Sequence, residues 1–125
     1  MRTKNIYLGA AEQKQQIQTS IENFNWIRDG LKTIEGRPYH KKYKIGDTLI
    51  FKNKNESISA KITDIRLYET LEHFLHNEGI REVLPCATTM QAAIQAYNKL
   101  SSEHDRNSQL KKYGHGFMAI QIKLD

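Results

Sequence analysis

Cysteine, proline and long apolar runs are scarce in this 125-residue chain, and each scarcity excludes a class of protein. Cys86 is the only cysteine, so neither an internal disulfide nor a cysteine-based zinc site can form. No stretch approaches the ~20 apolar residues of a membrane helix. The basic residues 1–5 are not followed by the apolar run of a signal peptide. We therefore expect an intracellular protein, most simply a cytoplasmic one, without a membrane partner.

The charge balance is mildly basic. The net charge is +5 at pH 7 and the sequence pI is about 9.3. This balance favours an anionic partner such as RNA or DNA, although a solvated basic surface gives the same composition. Hydrophobic residues make up 38% of the chain, enough for a core, and the length favours a single domain over residues 1–125.

The most informative segment is residues 30–37, where a lysine, a glutamate and an arginine follow a glycine. Gly30 suits the end of a helix because glycine readily adopts positive φ. Glu35 and Arg37 are two residues apart, so on a strand they project from the same face. Lys32 lies where helix gives way to strand. Two cations and a carboxylate at such a junction suit a polar or anionic ligand. The alternative is a cluster of ion pairs with a purely structural role.

This pattern resembles the signature of the ASCH family, whose members form a small β-barrel related to the PUA RNA-binding fold. Later segments also resemble the family's strands in order: 45–51, 60–68, and 119–122 after Tyr113-Gly114. The resemblance implies an α+β fold, a small five- to six-stranded PUA-like β-barrel with about three flanking helices.

Periodicity predicts the positions of the elements. Apolar spacing predicts a first strand over residues 6–8 and a helix over 10–29, of which 10–20 reads as an exposed helical extension. The other predicted elements are a strand over 32–38, a hairpin over 48–66, a helix over 70–78, a helix begun by Thr88 and Gln91, and a strand over 117–124. The polar segment 101–109 is predicted to be a surface loop.

A basic loop follows the motif. Cations and aromatic rings alternate there without an acidic residue: Arg37, Tyr39, His40, Lys41, Lys42, Tyr43 and Lys44. Cations pair with phosphates and aromatic rings stack on bases, so the predicted partner is RNA, or else a nucleoside or nucleotide ligand. A solvated loop is the alternative. Tyr113, beside two lysines, is a further ligand candidate, whereas Tyr97 is expected in the core.

The resemblance also implies an activity. Some bacterial ASCH proteins are N4-acetylcytidine amidohydrolases, whose site combines a lysine, a threonine three residues later and a distant glutamate. Lys32 and Glu78 match the lysine and the glutamate, but Glu35 stands at the threonine position. A carboxylate cannot replace a hydroxyl nucleophile in the same way. The candidate catalytic set is Lys32, Glu35 and Glu78.

No cofactor and no metal site is expected. His73 and His76 are one helical turn apart, but no third ligand is evident nearby.

Three functions remain open. The first choice is a module that binds RNA or a modified nucleoside, the second is a small amidohydrolase acting on an acylated nucleoside, and the third is a protein-interaction or regulatory domain.

Overall fold

One mixed sheet and a set of flanking helices make up the computed structural model, which describes residues 12–125. Within these residues the strands are β1 Lys14–Gln18, β2 Ile34–Pro38, β3 Thr48–Asn53, β4 Glu56–Tyr68 and β5 Phe117–Leu124. The helices in the same range are α1 Ile21–Arg28, α2 Leu71–Glu78, α3 Ile80–Val83, α4 Met90–Asn98 and α5 Glu103–Tyr113. The strand predicted over residues 6–8 lies outside the described residues.

The strand order is β1-β3-β4-β5-β2, so β1 and the motif strand β2 form the two edges of the described sheet. β1 pairs in parallel with β3, and every other pairing in this sheet is antiparallel. β4 has a register shift between Ile62 and Asp64, and a bulge of this kind bends a strand. The sheet curls into a half-barrel, which confirms the predicted α+β, PUA-like fold class.

Two apolar clusters pack against opposite faces of β5. Met118 and Ile120 belong to the cluster inside the curl of the sheet, whereas Phe117 and Ala119 belong to the cluster that includes α2 and α4. β2 approaches this second cluster closely, because a Cβ on Gly36 would lie 2.5 Å from Phe74 Cζ. Glycine at this position lets the motif strand pair with β5 beneath the aromatic rings.

β1 occupies a segment that was predicted to be helical. Residues 14–18 pair with β3 instead, and α1 begins only at Ile21, after Ser20 accepts a hydrogen bond from the backbone N–H of Asn23. The expected helical extension is therefore wrong for residues 14–18. Ile17 is the only apolar residue of this strand and is buried, so the parallel pairing, rather than a local pattern, selects the strand.

α5 replaces the loop that was predicted over residues 101–109. The helix lacks a continuous apolar stripe, and its ends and one buried cation hold it in place. Ser102 caps its N-terminus and Gly114, at φ 83°, ends it. Arg106 is buried and donates a 2.6 Å hydrogen bond to Asn98 Oδ1 at the end of α4. The described residues thus form five helices, not about three.

The remaining elements lie close to their predicted positions. The β3–β4 hairpin and β5 form as expected, and Thr70 caps α2 by accepting a hydrogen bond from the His73 N–H. α4 is capped by Thr89, one residue later than predicted.

In the part of the chain that the structure describes, no helix has the length and apolar character needed to span a bilayer.

Candidate functional site

Lys32, Glu35 and Arg37 come together at the motif strand β2. Lys32 Nζ lies 3.4 Å from Glu35 Oε1, and Arg37 NH1 lies 3.3 Å from Glu35 Oε2. The side chains of Lys32 and Glu35 are only 6% and 8% exposed, whereas that of Arg37 is 35% exposed. A buried ion pair is thus joined to a second cation that reaches solvent.

Helix α1 supplies another partner of Lys32. Asn23 Oδ1 accepts a 2.6 Å hydrogen bond from Lys32 Nζ, and Asn23 Nδ2 donates a 2.6 Å bond to Thr19 Oγ1. The short connection after α1 folds back on the helix, because the Lys32 N–H donates to the carbonyl of Trp26. Sequence reasoning missed Thr19 and Asn23. The short connection between α1 and Lys32 could have indicated them, because it returns Lys32 to the side of α1.

A cleft of about 550 Å³ lies between the two edge strands, in the size range of small-molecule sites. Lys32 and Glu35 form its buried part. Its walls and rim include residues of β1, α1, β2 and α4 and the segment after α4: Gln18, Asn23, Trp26, Arg37, Tyr97 and Lys99. The cleft therefore combines a buried ion pair, aromatic side chains and rim cations.

Glu35 Oε1 is buried and forms no hydrogen bond to any described residue. The Lys32 ammonium lies 3.4 Å away but is not aligned to donate to it. Buried polar atoms almost always have a hydrogen-bond partner, so an oxygen without one among the described residues is unusual. Burial and, secondarily, the Glu35 carboxylate raise the pKa of Tyr97, which keeps this phenol neutral beside the cleft.

Glu78 lies away from this cleft. Glu35 pairs with Ile120 and Arg66 pairs with the adjacent residue of β5, so Glu35 and Arg66 project from opposite faces of the sheet. The Glu78 carboxylate stays with Arg66, whose Nε and NH2 donate to it at 2.7 and 2.8 Å, and it also accepts from the Tyr68 hydroxyl. The structure thus brings Lys32 and Glu35 together but does not bring Glu78 to them.

The Glu78 contacts shift two pKa values. The hydrogen bonds from Arg66 are the main reason why the pKa of Glu78 lies below its usual value. Burial, together with the neighbouring carboxylate, raises the pKa of Tyr68 to about 12. Glu78 is therefore a charged carboxylate with committed partners at neutral pH.

Arg37, the first residue of the basic loop, belongs to β2, and the rest of the loop lies just beyond this strand. The loop's basic side chains beyond β2 are exposed: His40, Lys41, Lys42 and Lys44. Of its aromatic residues, Tyr43 is buried in the core, so its ring cannot stack on a ligand. Tyr39 is half-buried, and its ring centroid lies 5.4 Å from that of Tyr113. No group of three metal-binding side chains occurs within residues 12–125.

Comparison with known proteins identifies the family. The profile described as the ASCH domain matches residues 17–123, which is most of the chain. This protein belongs to the ASCH family. The predicted family is thereby confirmed, and an ASCH domain is generally of RNA-binding type. No curated protein matches the sequence significantly.

Solved structures share the ASCH fold. The hypothetical protein PH0355 is 30% identical with a TM-score of 0.76, over 90% of this chain and 100% of that chain. PF0455 from Pyrococcus furiosus is 29% identical with a TM-score of 0.69, over 90% and 97%. A mutant of ZmASCH from Zymomonas mobilis is 15% identical with a TM-score of 0.59, over 90% and 70%, so that likeness shows the fold alone.

The buried pair generates a stability prediction. Lys32→Met leaves the Glu35 carboxylate buried without the buried one of its two cations, and breaking a buried pair costs about 3–5 kcal/mol. We expect that loss in the free energy of unfolding from urea denaturation, with partial recovery in Lys32→Met/Glu35→Gln. Arg37→Met is the matched control: its more exposed side chain should contribute about 1 kcal/mol or less. Equal losses of unfolding free energy in Lys32→Met and Arg37→Met would contradict the prediction that the buried pair contributes more than the exposed one.

Glu78 generates a pH prediction. Its pKa is lower in the folded protein than the ordinary 4.5, so its stabilisation is complete above pH 4.5 and is lost as the pH falls through the folded-state pKa. At pH 7, Glu78→Gln should lower the free energy of unfolding by about 1–3 kcal/mol. Below pH 4.5 the free energy of unfolding of Glu78→Gln should depend less steeply on pH than that of the wild-type protein. Urea denaturation between pH 7 and pH 3 measures both effects.

Asp29→Asn is the control for this experiment. Asp29 is also paired with an arginine that lowers its pKa, but its side chain is 50% exposed. Solvent screening should leave its contribution small. A flattening of the pH profile in Asp29→Asn as large as that in Glu78→Gln would show that Glu78 is not a principal source of the pH dependence.

Proposed function

We propose that this ASCH protein binds single-stranded RNA and holds one nucleotide, or a modified base, in the cleft between β1 and β2. The observation that carries the proposal is the buried Lys32–Glu35 pair, in which Glu35 Oε1 has no hydrogen-bond partner among the described residues. The RNA-binding type of the family supports the same assignment.

The buried part of the cleft has the chemistry of a base site. Glu35 Oε1 can accept a hydrogen bond from an amino or imino group, and the Lys32 ammonium beside it can donate to a ring nitrogen or carbonyl. Base edges carry such donors and acceptors side by side. Trp26 is half-buried in the cleft wall and offers an aromatic face for stacking.

The rim has the chemistry of a phosphate site. Arg37 is 35% exposed and Lys99 is exposed, and both line the cleft. The basic loop extends this positive surface beyond the end of β2. Cations at these positions attract a nucleic acid backbone whatever its base sequence. The buried pair, in contrast, contacts only the nucleotide that enters the cleft.

A purely structural role explains the buried pair less well. Ion pairs of this kind often contribute less stability than apolar residues of the same volume, because both charges lose their hydration. A pair that served packing alone would also have its oxygens satisfied within the protein. Its position on a cleft beside a half-exposed arginine favours a ligand.

The basic loop generates the binding prediction. Lys41→Glu with Lys42→Glu should weaken binding to a single-stranded RNA 10-mer and reduce the slope of log K against log salt, because each lost phosphate contact releases about one counterion fewer. Fluorescence anisotropy at a series of salt concentrations measures both quantities.

The matched control reverses the charge at two lysines outside the basic loop. Lys54→Glu with Lys123→Glu changes the net charge equally, and both positions are exposed. We expect most of the affinity and slope to persist in this control. Equal losses in the two double variants would mean that net charge alone, rather than the loop, governs binding.

We expect little or no hydrolysis of N4-acetylcytidine by the wild-type protein. Glu35 stands where the related amidohydrolases have a threonine, and Glu78 is committed to Arg66 on the other face of the sheet. Incubation with N4-acetylcytidine, followed by chromatographic detection of cytidine, tests this. Rapid turnover that is lost in Glu35→Gln would contradict the prediction and make Glu35 a catalytic residue.

A further inference from the structure

We infer that the RNA strand leaves the cleft across a second nucleotide site, an aromatic platform formed by Tyr39, Tyr113 and His115. This inference rests on the proposed function. The Tyr39 ring is inclined by 57° to the rings of Tyr113 and His115, so the exposed Tyr113 ring would take the flat face of the neighbouring base by stacking, without selecting its identity.

The rings of the platform form one continuous group. The ring centroid of Tyr39 lies 5.4 Å from that of Tyr113 and 5.3 Å from that of His115. Tyr113 is 40% exposed and therefore presents much of its surface to solvent. The Lys112 ammonium lies 5.2 Å from the Tyr113 ring centroid, where it can also contact a phosphate.

The backbone holds these rings in place before any ligand binds. Gly114 ends α5 at φ 83°, which turns the chain between Tyr113 and His115. Gly116 has no space for a side chain, because a Cβ there would meet the carbonyl oxygens of Glu69 and Arg106. The Gly116 carbonyl in turn accepts a 3.3 Å hydrogen bond from the Tyr39 N–H. A backbone that is already positioned reduces the entropy that is lost on binding.

The platform continues directly from the cleft. Arg37 and Pro38 line the cleft, and Tyr39 is the next residue of the same extended segment. The bond from Tyr39 to Gly116 extends the pairing of β2 with β5, so Arg37 and Tyr39 project to the same side, about 7 Å apart. A strand whose phosphate contacts Arg37 therefore reaches the platform with its next nucleotide.

The chemistry of the surroundings favours nucleic acid over a peptide. Exposed cations flank the rings on both chain segments: Lys41, Lys42, Lys111 and Lys112. Aromatic rings combined with cations are the usual composition of sites for single-stranded nucleic acid, in which each base stacks and each phosphate meets a positive charge.

The test measures how substitutions of Tyr113 change the affinity for tetranucleotides and for mononucleotides. Wild type, Tyr113→Leu and Tyr113→Phe are titrated calorimetrically with the tetranucleotides rA4, rC4 and rU4 and with the matching 5′-monophosphates. Tyr113→Leu should bind tetranucleotides about 5- to 150-fold more weakly, the range for losing one base–aromatic stack. Tyr113→Phe retains the ring and should bind within about 3-fold of wild type. Monophosphates, which fill only the cleft, should bind all three proteins alike.

The outcomes separate this inference from the function on which it rests. Equal tetranucleotide affinities of wild type and Tyr113→Leu overturn the platform and leave RNA binding in the cleft intact. Loss of monophosphate binding in Tyr113→Leu overturns the division into two sites. A wild-type protein that binds neither kind of ligand overturns the proposed function itself, and with it the platform.

Discussion

Burial of β5 on both faces is the constraint on which the rest of the structure depends. Residues 117–120 are each 0–1% exposed, and alternate side chains of this strand enter two different apolar clusters. β5 therefore has to lie inside the sheet, with β4 on one side and β2 on the other. Because β2 takes this outer position, the motif residues lie on an edge strand, beside open space rather than beneath another strand.

Two polar clusters occupy opposite faces of this sheet, and they differ in how completely their atoms are satisfied. Both oxygens of Glu78 accept hydrogen bonds within its own cluster, which is the arrangement expected of a stabilising network. Glu35 has one bonded oxygen and one without a partner among the described residues. The proposed ligand would account for this difference, because its donor would complete a pairing that the described residues leave open.

The elements with a strong local pattern were predictable, and the others were not. β4 alternates apolar and polar residues along much of its length, β5 begins with four consecutive apolar residues, and α2 has an apolar face, so their sequences alone indicate their structures. β1 has one apolar residue in five and becomes a strand only because β3 is there to pair with it. α5 depends on its caps and on Arg106, which contacts Asn98 in another helix.

The sequence by itself determined the family, the fold class and the proximity of Lys32, Glu35 and Arg37. The family and the fold class follow from the resemblance of residues 30–37 and of the later segments to the ASCH signature, and the common face of Glu35 and Arg37 follows from the two-residue repeat of a strand. Only the tertiary structure decided that Asn23 holds Lys32, that Tyr43 is buried and that Glu78 lies on the far face. Each of those outcomes depends on contacts between segments distant along the chain or on strand register, and a register shift of one residue would reverse the face that a side chain occupies.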